Sequence, residues 1–128
     1  MRTLQKILYV EDEPDIQAVA KIALEMVGGF TLKACSSGQE ALDSVKDFHP
    51  DLILLDVMMP GMDGPTTMRK LRDQPGMAAV PMVFMTAKVQ PQEVQEYLAQ
   101  GAKGVIAKPF DPMKLSEEVR AIWEQGHG

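Results

Sequence analysis

The sequence is poor in cysteine and contains no long hydrophobic run. Cys35 is the one cysteine among 128 residues, so the chain cannot form an internal disulfide bond, in agreement with a reducing compartment. The apolar runs are far shorter than the roughly 20 residues that a membrane-spanning helix requires. Acidic residues interrupt the first apolar run at Glu11, which leaves it too short for a secretory signal. We therefore expect no membrane segment and, by default, a cytoplasmic location.

Runs of lysine or arginine are absent as well. Acidic residues outnumber basic residues by 18 to 13, which gives a net charge of −5 at pH 7. Nucleic acids and anionic membranes bind basic surfaces, so direct binding of this chain to either is not expected. The hydrophobic fraction of 45% and the charged fraction of 24% are typical of globular proteins and exclude disordered and fibrous classes. The length is that of one ordinary domain, to which we assign residues 1–128.

Short apolar segments alternate along the chain with longer segments of helical period. The short segments predict five strands: Ile7–Val10, Phe30–Leu32, Leu52–Leu55, Met82–Met85 and Val105–Ala107. Most of them are apolar at every position, as in strands covered on both faces of a parallel sheet. Helices are predicted to begin at these positions: Pro14, Ser37, Pro65, Pro91 and Asp111–Pro112. Five β-α units predict an α/β fold, a doubly wound parallel sheet with helices on both faces.

The first predicted helix has the clearest apolar face. It ends near Gly28–Gly29, and its core-facing positions are Ile16, Val19, Ala20, Ala23, Leu24 and Val27. We expect this face to pack against the sheet.

Polar residues follow four of the five predicted strands. Glu11 and Asp12 follow the first strand, Asp56 the third, Thr86 the fourth and Lys108 the fifth. The carboxyl ends of parallel strands meet at the edge where such folds bind ligands, so these side chains are expected to lie together. Three neighbouring carboxylates repel one another, and Mg²⁺, which prefers oxygen ligands, relieves that repulsion. A lysine and a threonine hydroxyl supply the charge and the donor that a phosphoryl group needs, with Asp56 as candidate nucleophile.

Each of these residues, taken alone, is also compatible with an ordinary structural role. Glu11 and Asp12 fit the N-terminus of the first helix, where negative charge is stabilised. Asp56 fits a solvated strand end, Thr86 a cap of the fourth helix, and Lys108 a surface lysine. Their joint occurrence at four strand ends favours one common site.

Four motifs resemble those of receiver domains of bacterial response regulators, the CheY-like family. LYVEDEP resembles the acidic-pair motif, LILLDVMMPGMDG the phosphoacceptor strand and loop, FMTA the switch threonine with its small neighbour, and AKPF the lysine–proline turn. The resemblance covers essentially the whole chain and implies a flavodoxin-like (βα)5 fold with strand order 2-1-3-4-5. It implies a signalling domain of a two-component system rather than an enzyme. Such a domain assists its own phosphorylation and dephosphorylation, and is here either a stand-alone protein or excised from a larger one.

The resemblance implies a role for each residue of the acidic cluster. Asp56 becomes the phosphoacceptor, which takes its phosphoryl group from a phosphohistidine of a sensor histidine kinase or phosphotransfer protein. Mg²⁺ is expected to bind Asp56 and Asp12 directly, Glu11 through water, and Met58 through its backbone carbonyl. The face formed by the fourth helix, fifth strand and fifth helix is implied as the surface for a downstream protein, and a homodimer is a further expectation.

The resemblance also implies roles around the phosphoryl group. Lys108 pairs with the phosphoryl oxygens, Thr86 turns toward them, and the backbone amide of Ala87 is a further donor. The Lys108–Pro109 peptide bond is expected to be cis. Many family members carry an aromatic residue three positions before this lysine, but here Val105 occupies that position, so the usual aromatic switch is absent.

Two loop residues flank the expected phosphoryl position. Met58 is two residues after the phosphoacceptor, and Lys88 is two residues after the threonine. Our hypothesis is that the apolar Met58 hinders the hydrolytic water and that Lys88 reaches an acidic partner; ordinary loop positions are an equally good interpretation.

Two other classes share parts of this pattern. Haloacid-dehalogenase-like phosphatases also use a strand-terminal aspartate with Mg²⁺, but they need a second aspartate where this chain has Met58. A pseudo-receiver or flavodoxin-like binding module would not take up phosphate, and the joint presence of Asp12, Asp56, Thr86 and Lys108 argues against it.

Overall fold

The computed structural model describes residues 3–127, and their side chains as far as residue 125. Residues 1, 2 and 128 of the predicted domain lie outside this part. The strands are β1 (Lys6–Val10), β2 (Thr31–Cys35), β3 (Leu52–Asp56), β4 (Met82–Thr86) and β5 (Gly104–Ala107). The α-helices between and after them are α1 (Pro14–Ile22), α2 (Gly38–Phe48), α3 (Gly64–Arg72), α4 (Pro91–Ala99) and α5 (Leu115–His127). Within residues 3–127, no helix combines the length and apolarity needed to cross a bilayer.

The strands form one parallel sheet in the order β2-β1-β3-β4-β5. This confirms the predicted α/β fold, its doubly wound sheet and its strand order. The order reverses between β1 and β3, and open α/β sheets bind ligands at such a reversal, beyond the carboxyl ends of the strands. Val10 lies beside Leu55 in the register, so β1 and β3 end next to each other. Glu11 and Asp56 are thereby brought to the same edge.

A hydrophobic cluster covers each face of the sheet. One cluster joins Tyr9 and Leu54 to Trp123 of α5, and the other joins Phe84 to Met68 of α3. β3 and β4 are buried at every residue, as expected for the central strands of a two-sided sheet. Full burial of one large apolar side chain contributes about 1.5–3 kcal/mol. The strand ends that carry the polar residues are therefore fixed by a core on both sides.

The first helix differs from its predicted form at its C-terminal end. α1 ends at Ile22 and continues as a π-helical turn over Ala23–Val27. Such a turn contains an additional residue, which rotates Val27 away from the core-facing side. Val27 is 46% exposed and Val19 is 43% exposed, so both were wrongly predicted as core residues. The buried positions of the predicted face are Ala20, Ala23 and Leu24.

The last helix begins later than the sequence predicts. α5 starts at Leu115 rather than at Asp111–Pro112. Asp111 instead holds the turn before the helix: its carboxylate accepts a hydrogen bond from the Met113 amide at 2.9 Å, and its carbonyl accepts one from the Leu115 amide at 3.0 Å. Asp111 therefore does accept hydrogen bonds from following amides, as a cap would, but it does so in the turn that precedes α5.

Candidate functional site

The ends of β1, β3, β4 and β5 carry polar side chains into one small region. Glu11, Asp56 and Thr86 are almost fully buried there, with exposed fractions of 1%, 3% and 1%. The ammonium group of Lys108, after β5, lies 2.8 Å from Glu11 Oε1 and 3.1 Å from Asp56 Oδ1. An isolated buried carboxylate is costly, so these contacts are what makes the burial tolerable. Glu11, Asp56 and Lys108, which were predicted from strand ends, are therefore joined by direct contacts through the lysine.

Two carboxylates share one ammonium group in this region. Burial is the largest cause that raises the pKa of Asp56 from 3.8 to about 6, and the charge of Glu11 adds to it, while Lys108 opposes it. Burial acts to lower the pKa of Lys108, but its hydrogen bonds to Glu11 and Asp56 outweigh that effect and raise it. One lysine does not fully compensate the negative charge, so the site favours an additional cation.

The carboxylates of Glu11, Asp12 and Asp56 form a cluster with metal-binding geometry. One oxygen atom from each lies within 4.8 Å of the others. Three hard oxygen donors suit Mg²⁺, which commonly binds one or two carboxylates and keeps several waters. The uncompensated negative charge also suits a cation. The residues present therefore fit the ion that the sequence predicts.

The other predicted site residues lie in the loops at the same edge. Thr86 is the last residue of β4, and its hydroxyl oxygen accepts a hydrogen bond from the Lys88 amide at 3.0 Å. Ala87 follows it and is exposed. Met58 follows β3 with a side chain that is 66% exposed. A thioether is a poor ligand for Mg²⁺, so a metal role for this residue depends on its carbonyl. The Lys108–Pro109 bond is cis, as expected.

The loop after β3 is held close to the phosphoacceptor candidate. The Gly64 amide donates a hydrogen bond to the Val57 carbonyl at 3.0 Å. A Cβ atom at Gly64 would lie 2.5 Å from the backbone oxygen of Asp56, so a larger residue does not fit without a backbone shift. Gly61 has φ of +75°, a conformation that favours glycine. These glycines permit the chain to turn back beside Asp56.

Tyr9 is a residue of this region that the sequence analysis missed. It is fully buried on β1, two positions before Glu11. Its hydroxyl group has no hydrogen-bond partner among the described residues. The sequence does contain a signal, since a tyrosine stands in a buried apolar run that leads directly into the acidic pair.

The chain is similar to response regulators in both sequence and structure. It matches the family described as "Response regulator receiver domain" over residues 7–120. The DNA-binding response regulator MtrA of Mycolicibacterium smegmatis is 40% identical over 117 residues, which are 91% of this chain and 50% of MtrA. The transcriptional regulatory protein CseB of Streptomyces coelicolor is 36% identical over 122 residues, 94% of this chain and 50% of CseB.

The solved structure of the chemotaxis response regulator CheY4 of Vibrio cholerae has a TM-score of 0.85 to this chain at 30% identity, and the match covers 94% of this chain and 99% of CheY4. The chain spans about half the length of the curated relatives it matches, 50% in the case of MtrA. The family match, the sequence identities and the fold agree with the geometry of the strand ends. The chain belongs to the receiver-domain family of two-component response regulators.

Proposed function

We propose that this receiver domain accepts a phosphoryl group on Asp56 from the phosphohistidine of a sensor histidine kinase or phosphotransfer protein, and thereby controls a partner. One observation carries the proposal: the buried Asp56 carboxylate is paired with Lys108 at 3.1 Å, beside the carboxylates of Glu11 and Asp12. The chain's net charge of −5 does not favour DNA, so the partner in this proposal is a protein.

The proposed transfer uses Asp56 as a nucleophile. One carboxylate oxygen attacks phosphorus, the new P–O bond forms as the P–N bond breaks, and the imidazole nitrogen keeps the electron pair and takes up a proton. Attack requires the ionised carboxylate, and a pKa of about 6 leaves Asp56 mostly ionised at neutral pH. Lys108 is close enough to pair with the phosphoryl oxygens. Thr86 uses its oxygen as an acceptor, which leaves its hydroxyl proton free to donate, and the Ala87 amide is a second donor.

The acidic cluster provides the ligands for Mg²⁺ in this proposal. Glu11, Asp12 and Asp56 would hold the ion with their carboxylates, and Met58 with its backbone carbonyl. When bound, the ion supplies the positive charge that Lys108 alone does not provide. The chain's own contribution is to keep these oxygens together in a buried region. The domain assists the gain and loss of its own phosphoryl group and acts on no separate substrate.

The kinase is proposed to dock over α1, beside the site. An apolar stripe of α1 and the following turn is exposed: Val19 by 43%, Ile22 by 55% and Met26 by 79%. It adjoins a groove of about 260 Å³ lined by Asp15, Ile16, Val19, Lys108, Pro109 and Phe110. Because Lys108 belongs to both the groove and the site, an apolar helix seated here would hold its phosphohistidine near Asp56.

The downstream partner is proposed to bind the face formed by α4, β5 and α5. No residue of α4 is fully buried, and Val89 and Leu98 expose 42% and 39% of their surface near its two ends. A homodimer through this face is the alternative arrangement. The proposed partners are cytoplasmic proteins. The proposal also treats residues 1–128 as one receiver domain.

Phosphorylation by acetyl phosphate tests the proposal without a kinase. We expect the wild-type protein, incubated with acetyl phosphate and Mg²⁺, to gain the mass of one phosphoryl group in an intact-mass measurement, and Asp56→Asn to gain none. Asp47→Asn removes an exposed carboxylate of α2 and serves as the matched control that still gains it. A wild-type protein without the gain, or a gain that persists in Asp56→Asn, contradicts the proposal. Steady phosphate release from phosphomonoesters would instead favour a dehalogenase-like phosphatase.

A further inference from the structure

Tyr9 lies beneath the acidic cluster, on the same face of β1 as Glu11. Side chains alternate along a strand, and the Glu11 amide bonds to the Cys35 carbonyl at 3.0 Å, which continues the ladder past Val10. Two residues advance about 6.6 Å along a strand, which is similar to the length of a tyrosine side chain. A tyrosine that leans along the strand therefore brings its hydroxyl to the level of the Glu11 carboxylate.

The hydroxyl group of Tyr9 is unpaired at this place. The side chain is fully buried, and its hydroxyl has no hydrogen-bond partner within residues 3–125. Buried polar groups are nearly always hydrogen-bonded, and an unpaired hydroxyl at this place needs an explanation.

The carboxylate of Glu11 has unused acceptor capacity. Oε1 accepts from Lys108 at 2.8 Å, and Oε2 accepts a longer bond from the Glu13 amide at 3.3 Å. An ionised carboxylate accepts about four hydrogen bonds, so positions remain for a further donor. In the proposed phosphorylated state, Lys108 pairs with phosphoryl oxygens. Glu11 is 1% exposed and would then lose its shortest contact without access to bulk water.

We propose that Tyr9 is a positioning residue for the metal site: in the Mg²⁺-bound protein its hydroxyl donates a hydrogen bond to Glu11 and fixes the orientation of that carboxylate. The same bond keeps Glu11 paired when a phosphoryl group draws Lys108 away. The inference rests on the proposed function, because it assumes that the acidic cluster binds Mg²⁺. Tyr9 acts through Glu11 and touches neither the ion nor the phosphoryl group.

The test is a titration of Mg²⁺ into the protein by calorimetry at pH 8. Loss of a group that orients a metal ligand typically weakens metal binding by a factor of about 10 to 100. Glu11 is expected to bind the ion through water, so we expect the lower end of this range, about a tenfold weaker affinity, for Tyr9→Phe. Tyr97→Phe removes the other tyrosine hydroxyl of the chain, on α4, and is expected to keep the wild-type affinity. Phenylalanine keeps the ring of Tyr9, and the lost hydroxyl made no hydrogen bond, so the melting temperature of Tyr9→Phe is expected not to fall.

A second background separates positioning from packing. In Glu11→Gln the carboxylate that Tyr9 orients is absent, so adding Tyr9→Phe is expected to change the Mg²⁺ affinity less than twofold. A Tyr9→Phe protein that binds Mg²⁺ within twofold of wild type overturns the inference, as does a tenfold loss that persists in the Glu11→Gln background. These two results leave the proposed function intact. A wild-type protein that binds no Mg²⁺ contradicts both.

Discussion

The raised pKa of Asp56 makes a quantitative prediction about stability. The pKa is 3.8 for an ordinary aspartate and about 6 in the folded protein. One pKa unit corresponds to about 1.4 kcal/mol, so the ionised carboxylate lowers the free energy of unfolding by about 3 kcal/mol. Asp56 is only 3% exposed, so solvent does little to screen this effect. We expect Asp56→Asn, which keeps the size and removes the charge, to raise the free energy of unfolding by about this amount at pH 8 without divalent cations.

The sign follows from the direction of the shift. When the pKa of an acid is raised in the folded state, the protonated carboxyl contributes to the free energy of unfolding. This contribution is fully present below the pKa of the unfolded state and is lost as the pH rises through the pKa of the folded state. The gain from Asp56→Asn is therefore about 3 kcal/mol at pH 8 and about half of that at pH 5, where the folded wild type is mostly protonated. Urea unfolding of both proteins at the two pH values, with a chelator present, measures it. Asp47→Asn is the control for loss of a surface charge.

Two results would refute the reasoning. An Asp56→Asn protein no more stable than wild type at pH 8 would mean that Lys108 fully compensates the buried charge. A gain of equal size at pH 5 and pH 8 would mean that the effect has another source than ionisation. Added Mg²⁺ is expected to reduce or reverse the advantage of Asp56→Asn, because an ion that binds the folded wild type stabilises it by mass action.

Two further predictions concern the loops and α1. Met58→Asn is expected to shorten the lifetime of the aspartyl phosphate several-fold, because an amide can hydrogen-bond the hydrolytic water whereas a thioether is a weak acceptor and no donor. Phosphate release after removal of acetyl phosphate measures this lifetime, and an unchanged lifetime removes the role of Met58. Ile22→Glu is expected to slow phosphotransfer from a sensor kinase that phosphorylates the wild type by about tenfold, since it puts a charge in the exposed apolar stripe. Labelling by acetyl phosphate should be unaffected, and Leu98→Glu on α4 is the matched control. An equal loss in both reactions would show damage to the site rather than to docking.

The fold and most of the site could be predicted because the information is local. One apolar run ends in Asp56, another ends in Thr86, and a third is followed by Lys108. Each run identifies a strand end, and the topology of a parallel sheet places these ends together. The strand order itself came from the resemblance to receiver domains. What local pattern does not contain is the distance between side chains, such as Lys108 shared by Glu11 and Asp56.

The errors arose where tertiary structure overrides a regular period. A helical period of 3.6 residues placed Val19 and Val27 in the core, but both are partly exposed. The π-helical turn after Ile22 shifts the register at Val27. Val19 precedes that turn, so its exposure of 43% has a different cause. Tyr9 was read only as a strand residue, since a sequence does not show whether a buried hydroxyl finds a partner.

Val105 stands where many receiver domains carry an aromatic residue, so a conformational change at the site is expected to reach α4 by another contact. Val105 lies beside Phe84 in the β4–β5 register, and Phe84 packs edge to face against Tyr97 of α4 with ring centroids 5.3 Å apart. Phe84 is two residues before Thr86 on the same strand, so it lies on the same face. A displacement of Thr86 is therefore expected to reach α4 through the Phe84–Tyr97 contact, in place of an aromatic residue on β5.

In the proposed function, the free energy for switching would come from the charge of the phosphoryl group. Driving a two-state equilibrium from 1:99 to 99:1 requires about 5.5 kcal/mol of differential interaction. Turning the Thr86 hydroxyl breaks its bond from the Lys88 amide, at a net cost of about 1 kcal/mol. Hydrogen bonds to a charged group contribute about 1.5–3 kcal/mol each, so three donors on the phosphoryl oxygens, from Lys108, Thr86 and the Ala87 amide, would supply about 4.5–9 kcal/mol. Lys108 would leave Glu11 to provide its share, and Glu11 would then keep only the longer bond from the Glu13 amide at 3.3 Å. The gain is therefore that large only if Glu11 takes up a replacement for the lost bond, which is the role proposed for the unpaired hydroxyl of Tyr9.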